Sequence, residues 1–234
     1  MIYLIKGLLN KSLILLFAIL IITAIALGCT AKQPEVTTPV PDPTPTQPVP
    51  PEQPPVTPAP VEEVKDLSAY MPMQVGYIWE YEGEGNEYAS YTSKIEFAEN
   101  NRYQEAKDNG GTVMANIYEV RDDSIVHVYQ MGENYEHKNL LKEKDNLADI
   151  VLKLPIQVSN KWVGEENSYE IIDIKGTITV PYGTFNDCVV VKRTYKDGSE
   201  DYSHYAEGVG LLQSEFRSGD FKVFSRLKNF SGNK

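Results

Sequence analysis

Twelve of the chain's fifteen prolines fall between Pro34 and Pro60, and this clustering decides where a fold can form. Proline fixes φ and has no amide donor, so a segment this rich in it joins neither a helix nor a sheet ladder. Residues 29–66 are therefore expected to be a disordered tether of polyproline II character. At about 3.1 Å per residue, its proline stretch spans on the order of 80 Å when extended. Pro-rich segments also serve as ligands for other domains, but a position between a leader and a folded domain favours a spacer. Folding is left to residues 67–234, enough for one domain with a real core, since chains near 150 residues bury about 68–70% of their unfolded surface.

Ahead of the tether, Lys6 and Lys11 precede an uncharged, mostly apolar run from Ser12 to Leu27 that ends in Ala26-Leu27-Gly28-Cys29. A basic start, a short apolar core and a small residue at its end describe a secretory signal over residues 1–28. The Gly28-Cys29 pair resembles the lipobox of bacterial lipoproteins, although Ala26 and Leu27 depart from its usual aliphatic-then-small order. That resemblance implies a diacylglyceryl group on the Cys29 sulfur and cleavage between Gly28 and Cys29. Two acyl chains anchor stably at about 0.8 kcal/mol per buried methylene, whereas one binds only marginally. The competing reading is an uncleaved transmembrane helix, for which the apolar run is short of the roughly 20 residues a span prefers. Both place residues 67–234 on the extracytoplasmic face of the cell membrane, because the two lysines favour an inside amino terminus.

Of the net charge of −11, the leader carries +2 and the tether −4, leaving −9 on residues 67–234. Such a domain is repelled by nucleic acid, which is excluded as a partner. With Cys29 modified, Cys188 is the one remaining cysteine, so no intramolecular disulfide forms. It sits in the apolar run Asp187-Cys188-Val189-Val190-Val191, where a buried inert thiol is expected rather than a nucleophile.

The period of the hydrophobic pattern is two almost throughout. Tyr77, Trp79 and Tyr81 share one face of their segment, and Ala89, Tyr91, Ser93, Ile95 and Phe97 share another. Strands are predicted at 102–107, 112–121, 125–131, 169–174, 177–180, 188–195, 200–206, 209–216 and 221–228. The separators, among them Asn109-Gly110-Gly111, Asp122-Asp123-Ser124, Asp197-Gly198-Ser199 and Ser218-Gly219-Asp220, have turn chemistry. Regular strands with short turns argue an all-β fold, an antiparallel meander curling into a barrel or strongly curved half-barrel. Only Asn139–Leu152 is ambiguous, fitting a short helix or two strands.

An internal echo predicts two related halves. Met71-Pro72-Met73-Gln74-Val75 with Trp79 recurs as Leu154-Pro155-Ile156-Gln157-Val158 with Trp162, at a constant offset of 83. If the echo is structural, the two tryptophans occupy equivalent positions.

The segments Val180-Pro181-Tyr182-Gly183-Thr184-Phe185-Asn186-Asp187-Cys188-Val189 and Tyr205-Ala206-Glu207-Gly208-Val209-Gly210-Leu211-Leu212 resemble paired motifs of uncharacterised bacterial secreted proteins and cell-envelope lipoproteins. The upstream Val75 to Gly83, read as Val-Gly-x-x-Trp-x-Tyr-Glu-Gly, belongs to the same pattern, and His204 departs from its usual aromatic pair. The resemblance implies a β-rich envelope domain and brings no catalytic residues. The motif residues also have a structural explanation. Pro181 suits the second position of a type I turn closed by Gly183, and Gly208 and Gly210 suit a sharp bend or bulge before Leu211.

No catalytic constellation stands out. His127, His137 and His204 lie on separate segments without metalloprotease spacing, and neither a phosphate loop, a dinucleotide fingerprint nor a Gly-x-Ser-x-Gly elbow occurs. No metal and no cofactor is expected. His127 faces either solvent or the lumen. Glu82, Glu84 and Glu87 match no calcium-loop spacing and read as a solvated acidic turn. Amphipathic aromatics are the remaining candidates for ligand contact, chiefly Tyr77, Trp79, Tyr81 and Trp162, and core packing is their other role. The expectation is a non-catalytic, lipid-anchored domain that binds a cell-wall glycan, a lipid or an envelope protein. A glycan hydrolase using a carboxylate pair and a structural or assembly module with a filled core are the alternatives.

Overall fold

The computed structural model describes residues 66–232; the expected signal peptide, Cys29 and nearly all of the expected tether lie outside them. A 3-10 turn at Leu67–Ala69 leads into twelve strands. These are β1 (Ile78–Glu84), β2 (Tyr91–Glu99), β3 (Arg102–Asp108), β4 (Val113–Val120), β5 (Ser124–Met131) and β6 (Asp149–Lys153), followed by β7 (Lys161–Val163), β8 (Asn167–Val180), β9 (Gly183–Tyr195), β10 (Glu200–Ala206), β11 (Gly210–Ser218) and β12 (Phe221–Ser231). They form one antiparallel sheet in the order β6-β5-β4-β3-β2-β1-β12-β11-β10-β9-β8-β7. The sheet curls into a nearly closed barrel with one open seam, which lies between its edge strands β6 and β7. The all-β meander expected from the alternation is the observed architecture.

The order separates into two six-stranded meanders, β1–β6 and β7–β12, joined where β1 pairs β12. Each opens in the same way. The amide of Gly76 donates to Ile95 O (2.9 Å), and Ile95 N donates to Tyr77 O (3.0 Å). In the second half Ser159 N donates to Ile171 O (2.8 Å), and Ile171 N donates to Asn160 O (2.9 Å). Tyr77 N to Gln74 O and Asn160 N to Gln157 O close matching turns. Both Gly76 (φ 92°) and Ser159 (φ 70°) take the left-handed conformation. Trp79 lies opposite Ser93 and Trp162 opposite Tyr169, each two residues before the bonded isoleucine. The two tryptophans are therefore equivalent, and the echo marks a repeated opening strand.

Three local expectations need correction. The predicted strands at 169–174 and 177–180 are one continuous β8, which absorbs the break through register shifts around Asp173 and Gly176. The segment 139–152 holds neither a helix nor two strands; it is an extended loop ending in β6. The three-residue β7 goes unpredicted, because a run so short carries too few positions to show a period. Elsewhere the turn chemistry holds. Val180 pairs Gly183 across Pro181-Tyr182, and the ladder slips beside Gly210, where His204 faces Gln213 but Tyr205 faces Leu211. A side chain at Gly210 would need φ 97° and would meet the Pro72 ring at 3.3 Å, so the bulge requires glycine.

Three apolar clusters hold the barrel together. One gathers Trp79, Tyr81, Tyr91, Ile95, Cys188, Leu212 and Leu227, with Cys188 fully buried. A second, containing Leu67, Tyr70, Ile125, Leu152, Trp162, Tyr169, Ile171, Val189 and Val191, crosses the open seam. The third lies outside the barrel wall. Ala115 and Ile117 of β4 and Val126 and Val128 of β5 are covered by Leu140 and Leu141 of the β5–β6 loop. The fully buried Gln104 pins that loop, accepting from Leu140 N (2.7 Å) and donating to Lys138 O (2.8 Å).

At the seam, side chains replace the missing ladder. Trp162 Nε1 donates to Ile150 O (2.8 Å), and the Tyr169 hydroxyl donates to Asp149. Arg193 pairs with Asp149 (3.3 Å), and Asn160 Nδ2 donates to Lys153 O (3.0 Å) and Pro155 O (2.9 Å). Trp162→Phe keeps the apolar ring but orphans the Ile150 carbonyl, at a cost of about 1–3 kcal/mol. Urea unfolding should show a lower midpoint with an unchanged slope; an unchanged midpoint would show that the indole bond does not hold the seam.

Candidate functional site

A cavity of about 460 Å³ lies within the barrel, inside the range of roughly 300–1,000 Å³ found for small-molecule pockets. The alternation of β1–β5 decides its lining. The residues facing away from the loop-covered side of β3–β5 face the lumen, and they are predominantly polar: Glu105, Lys107, Asn116, Tyr118 and His127. On the other side stand Trp79, Tyr81, Tyr205 and Leu211, with Met71, Pro72 and Met73 from the segment before β1. One wall is thus aromatic and apolar, and the other is rich in hydrogen-bonding groups.

Cross-strand register builds the polar wall in rungs. Glu105 of β3 faces Asn116 of β4, which faces Gln130 of β5. Along this rung Gln130 Nε2 donates to Asn116 Oδ1 (3.1 Å), and Asn116 Nδ2 donates to Glu105 Oε2 (2.8 Å). Glu105 also accepts from the hydroxyls of Ser93 and Tyr118 (3.4 Å for Tyr118). Three donors therefore hold one carboxylate, the condition for keeping such a group inside a barrel. In the adjacent rung Trp79 faces Ser93, Ser93 faces Lys107, and Lys107 faces Met114. The Lys107 ammonium sits 3.7 Å from the centroid of the Tyr91 ring, a cation–π contact. Its environment pushes its pKa below the ordinary lysine value, through burial.

Burial also raises the Tyr81, Tyr91 and Tyr118 hydroxyls well above their usual range and pushes Tyr205 up to about 12, so all four are protonated near neutrality. His127 stacks on Tyr118 with ring centroids 4.9 Å apart, and its buried Nε2 has no hydrogen-bond partner. Desolvation lowers its pKa and favours the neutral ring. Of its two expected settings, the lumen is the one observed. Asp201 is raised by burial, and its Oδ1 is also without a partner.

The four aromatic candidates separate into different places. Trp79 and Tyr81 line the cavity, each tied to the chain around the start of β11: Trp79 Nε1 donates to Val209 O (2.7 Å) and the Tyr81 hydroxyl to Leu211 O (2.8 Å). Tyr77 packs edge-on against Trp79 and Phe230. Trp162 belongs to the seam cluster, stacked on Tyr169 at 5.4 Å. The carboxylates at Glu80, Glu82, Glu84 and Glu87 are exposed and do not line the cavity; Glu84 pairs with Arg226 at 2.7 Å. Among the described residues no group of three His, Cys, Asp or Glu side chains is placed to hold a metal.

Glu105, Lys107, Asn116 and Gln130 were not singled out from the sequence. A partial signal was present, since Tyr103, Glu105 and Lys107 alternate with Gln104 and Ala106 along β3. That alternation defines two faces without saying which one a loop covers.

The half-buried histidines His127 and His204 give the fold a pH dependence with a defined sign. Desolvation depresses both His127 and His204, so below the ordinary value near 6.5 the unfolded chain binds more protons. Their contribution is intact above that pH and is lost as pH falls through the depressed folded-state values. Asp201 acts oppositely, its contribution being lost as pH rises above 3.8 through its raised folded-state value. Urea midpoints should therefore drop between pH 7.5 and 5, and drop less in a His127→Gln, His204→Gln double variant. A flat wild-type profile would refute this assignment.

No family model and no curated protein matches the chain. Two solved structures are similar to it in part. One is a Bacteroides fragilis protein described as exported and with a YmcC-like fold; it is 11% identical, with a TM-score of 0.40 over 70% of this chain and 99% of that one. The other is a Parabacteroides distasonis protein described as a lipoprotein; it is 13% identical, with a TM-score of 0.41 over 68% of this chain and 96% of that one.

Proposed function

We propose that the chain is a membrane-anchored extracytoplasmic lipoprotein, held through diacylglyceryl-Cys29, whose barrel binds a ligand in its lumen without catalysis. The observation that carries the binding reading is the cavity of about 460 Å³, in which an aromatic wall faces a polar one that includes the unpartnered His127 Nε2. Orphaned buried polar atoms are costly in a folded protein and are tolerated where they serve a function. A roomy lumen also counts against a purely structural module with a filled core. The hydrolase alternative gains nothing from Glu80, Glu82, Glu84 and Glu87, which are not part of the cavity lining.

The anchor rests on the leader and the Gly28-Cys29 junction. Cys29→Ser should abolish incorporation of labelled palmitate in the producing cell and leave the precursor uncleaved. Wild-type protein that retains residues 1–28 and takes up no label would overturn the anchor. The binding reading is tested by thermal denaturation of the full chain in lipid nanodiscs, screened against wall glycans and lipids. At least one class should raise the melting temperature by several degrees, as mass action requires of a ligand that binds only the native state. An unchanged melting temperature with every class would overturn the binding reading in favour of the assembly module.

A further inference from the structure

We propose that the lumen selects an anionic amphiphile, a monocarboxylate with an apolar body, and that the Lys107 ammonium is its counter-ion. This deepens the lumen-binding reading and rests on it. Lys107 lies on the cavity wall and covers the face of Tyr91 at 3.7 Å. Among the described residues its ammonium takes part in no ion pair and no side-chain hydrogen bond, and the carboxylates whose charges act on it are Glu105 and Asp201. The carboxylate that shares its strand face, Glu105, is already engaged by Ser93, Asn116 and Tyr118. Glu105 thus has its partners, while Lys107 has a ring face and the cavity.

A cation held over an aromatic ring in a partly dry site attracts an anion more strongly than an exposed lysine does, because the local dielectric is lower. The rest of the requirement comes from the facing wall. Trp79 is level with Lys107 across Ser93, and Met71, Met73 and Leu211 extend the apolar surface beside it. A head group at Lys107 would therefore place its body against thioether, aliphatic and indole surface. A fully hydrated anion would leave that surface uncovered, and a neutral apolar ligand would leave the ammonium unpaired. The net charge of −11 does not oppose this: exposed charges beyond the Debye length of about 8 Å at physiological salt are largely screened.

The test uses three probes that share one alkyl chain: octanoate, 1-octanol and octylammonium. Each is titrated calorimetrically into the full chain in lipid nanodiscs, with empty nanodiscs as the blank. Octanoate should bind at least ten-fold more tightly than octanol, and octylammonium more weakly than either. Lys107→Met keeps the apolar stem and should erase the preference for octanoate while preserving octanol binding; Lys107→Arg should retain the preference. The thermal unfolding of both variants checks that they fold. Equal affinity for octanoate and octanol, or a preference that survives in Lys107→Met, would overturn the anion selectivity and leave the lumen-binding reading standing. Binding of none of the three by folded wild-type protein would overturn the selectivity, while the glycan and lipid screen separately decides the broader reading.

Discussion

The barrel depends on a closure made by side chains. Eleven of the contacts between neighbouring strands are backbone ladders, but β6 and β7 meet without one. There an indole N–H, a tyrosine hydroxyl, an arginine and an asparagine amide reach Ile150 O, Asp149, Lys153 O and Pro155 O. Unpaired sheet edges invite association with other chains, and here the two edges satisfy each other through short polar contacts over an apolar cluster. The lumen exists because this seam is drawn together; splayed open, the same twelve strands would present Glu105, Lys107 and His127 to water.

A second dependence concerns which face of the sheet is dry. In most barrels the apolar side of each strand turns inwards. In β3–β5 the more apolar side, with Ala106, Val113, Ala115, Ile117, Val126 and Val128, is buried beneath or beside the β5–β6 loop, and the polar side lines the cavity. Gln104 secures this arrangement by meeting two backbone groups of the loop inside the protein. Covering the outer face frees the inner face to carry hydrogen-bonding groups, and so the cavity has one polar and one apolar wall. The loop and the lumen chemistry are two sides of one packing solution.

Much of this architecture was legible in the residues. Turns at Pro181-Tyr182, Asp197-Gly198-Ser199 and Gly219-Asp220 ended strands where their chemistry required. The recurrence of Pro-x-Gln-Val-x-x-x-Trp identified the opening strand of each meander, down to matching bonds from Gly76 and Ser159. Local rules succeed there because a turn or a strand entrance is settled by neighbours within a few residues. They were insufficient for β7, for the continuity of β8 past Gly176, and for the 139–152 segment, where partners distant in sequence decide the backbone. The candidate site was legible only in part: Trp79 and Tyr81 stood out by size and alternation, whereas Glu105, Lys107 and Asn116 looked like ordinary strand residues.

Its residues alone show a basic and apolar run ahead of Cys29, a proline-rich segment from Pro34 to Pro60, and an antiparallel β body with a repeated opening motif. Each follows from local stereochemistry or from a period that any folded form must respect. The tertiary structure alone decided which face of each strand encloses the lumen, which aromatic rings line it, and that Lys107 faces the cavity without a carboxylate partner. A period of two assigns residues to two faces but is silent on which face is covered. That choice follows from a distant loop and from the closing of a seam, which bring together groups far apart in the chain.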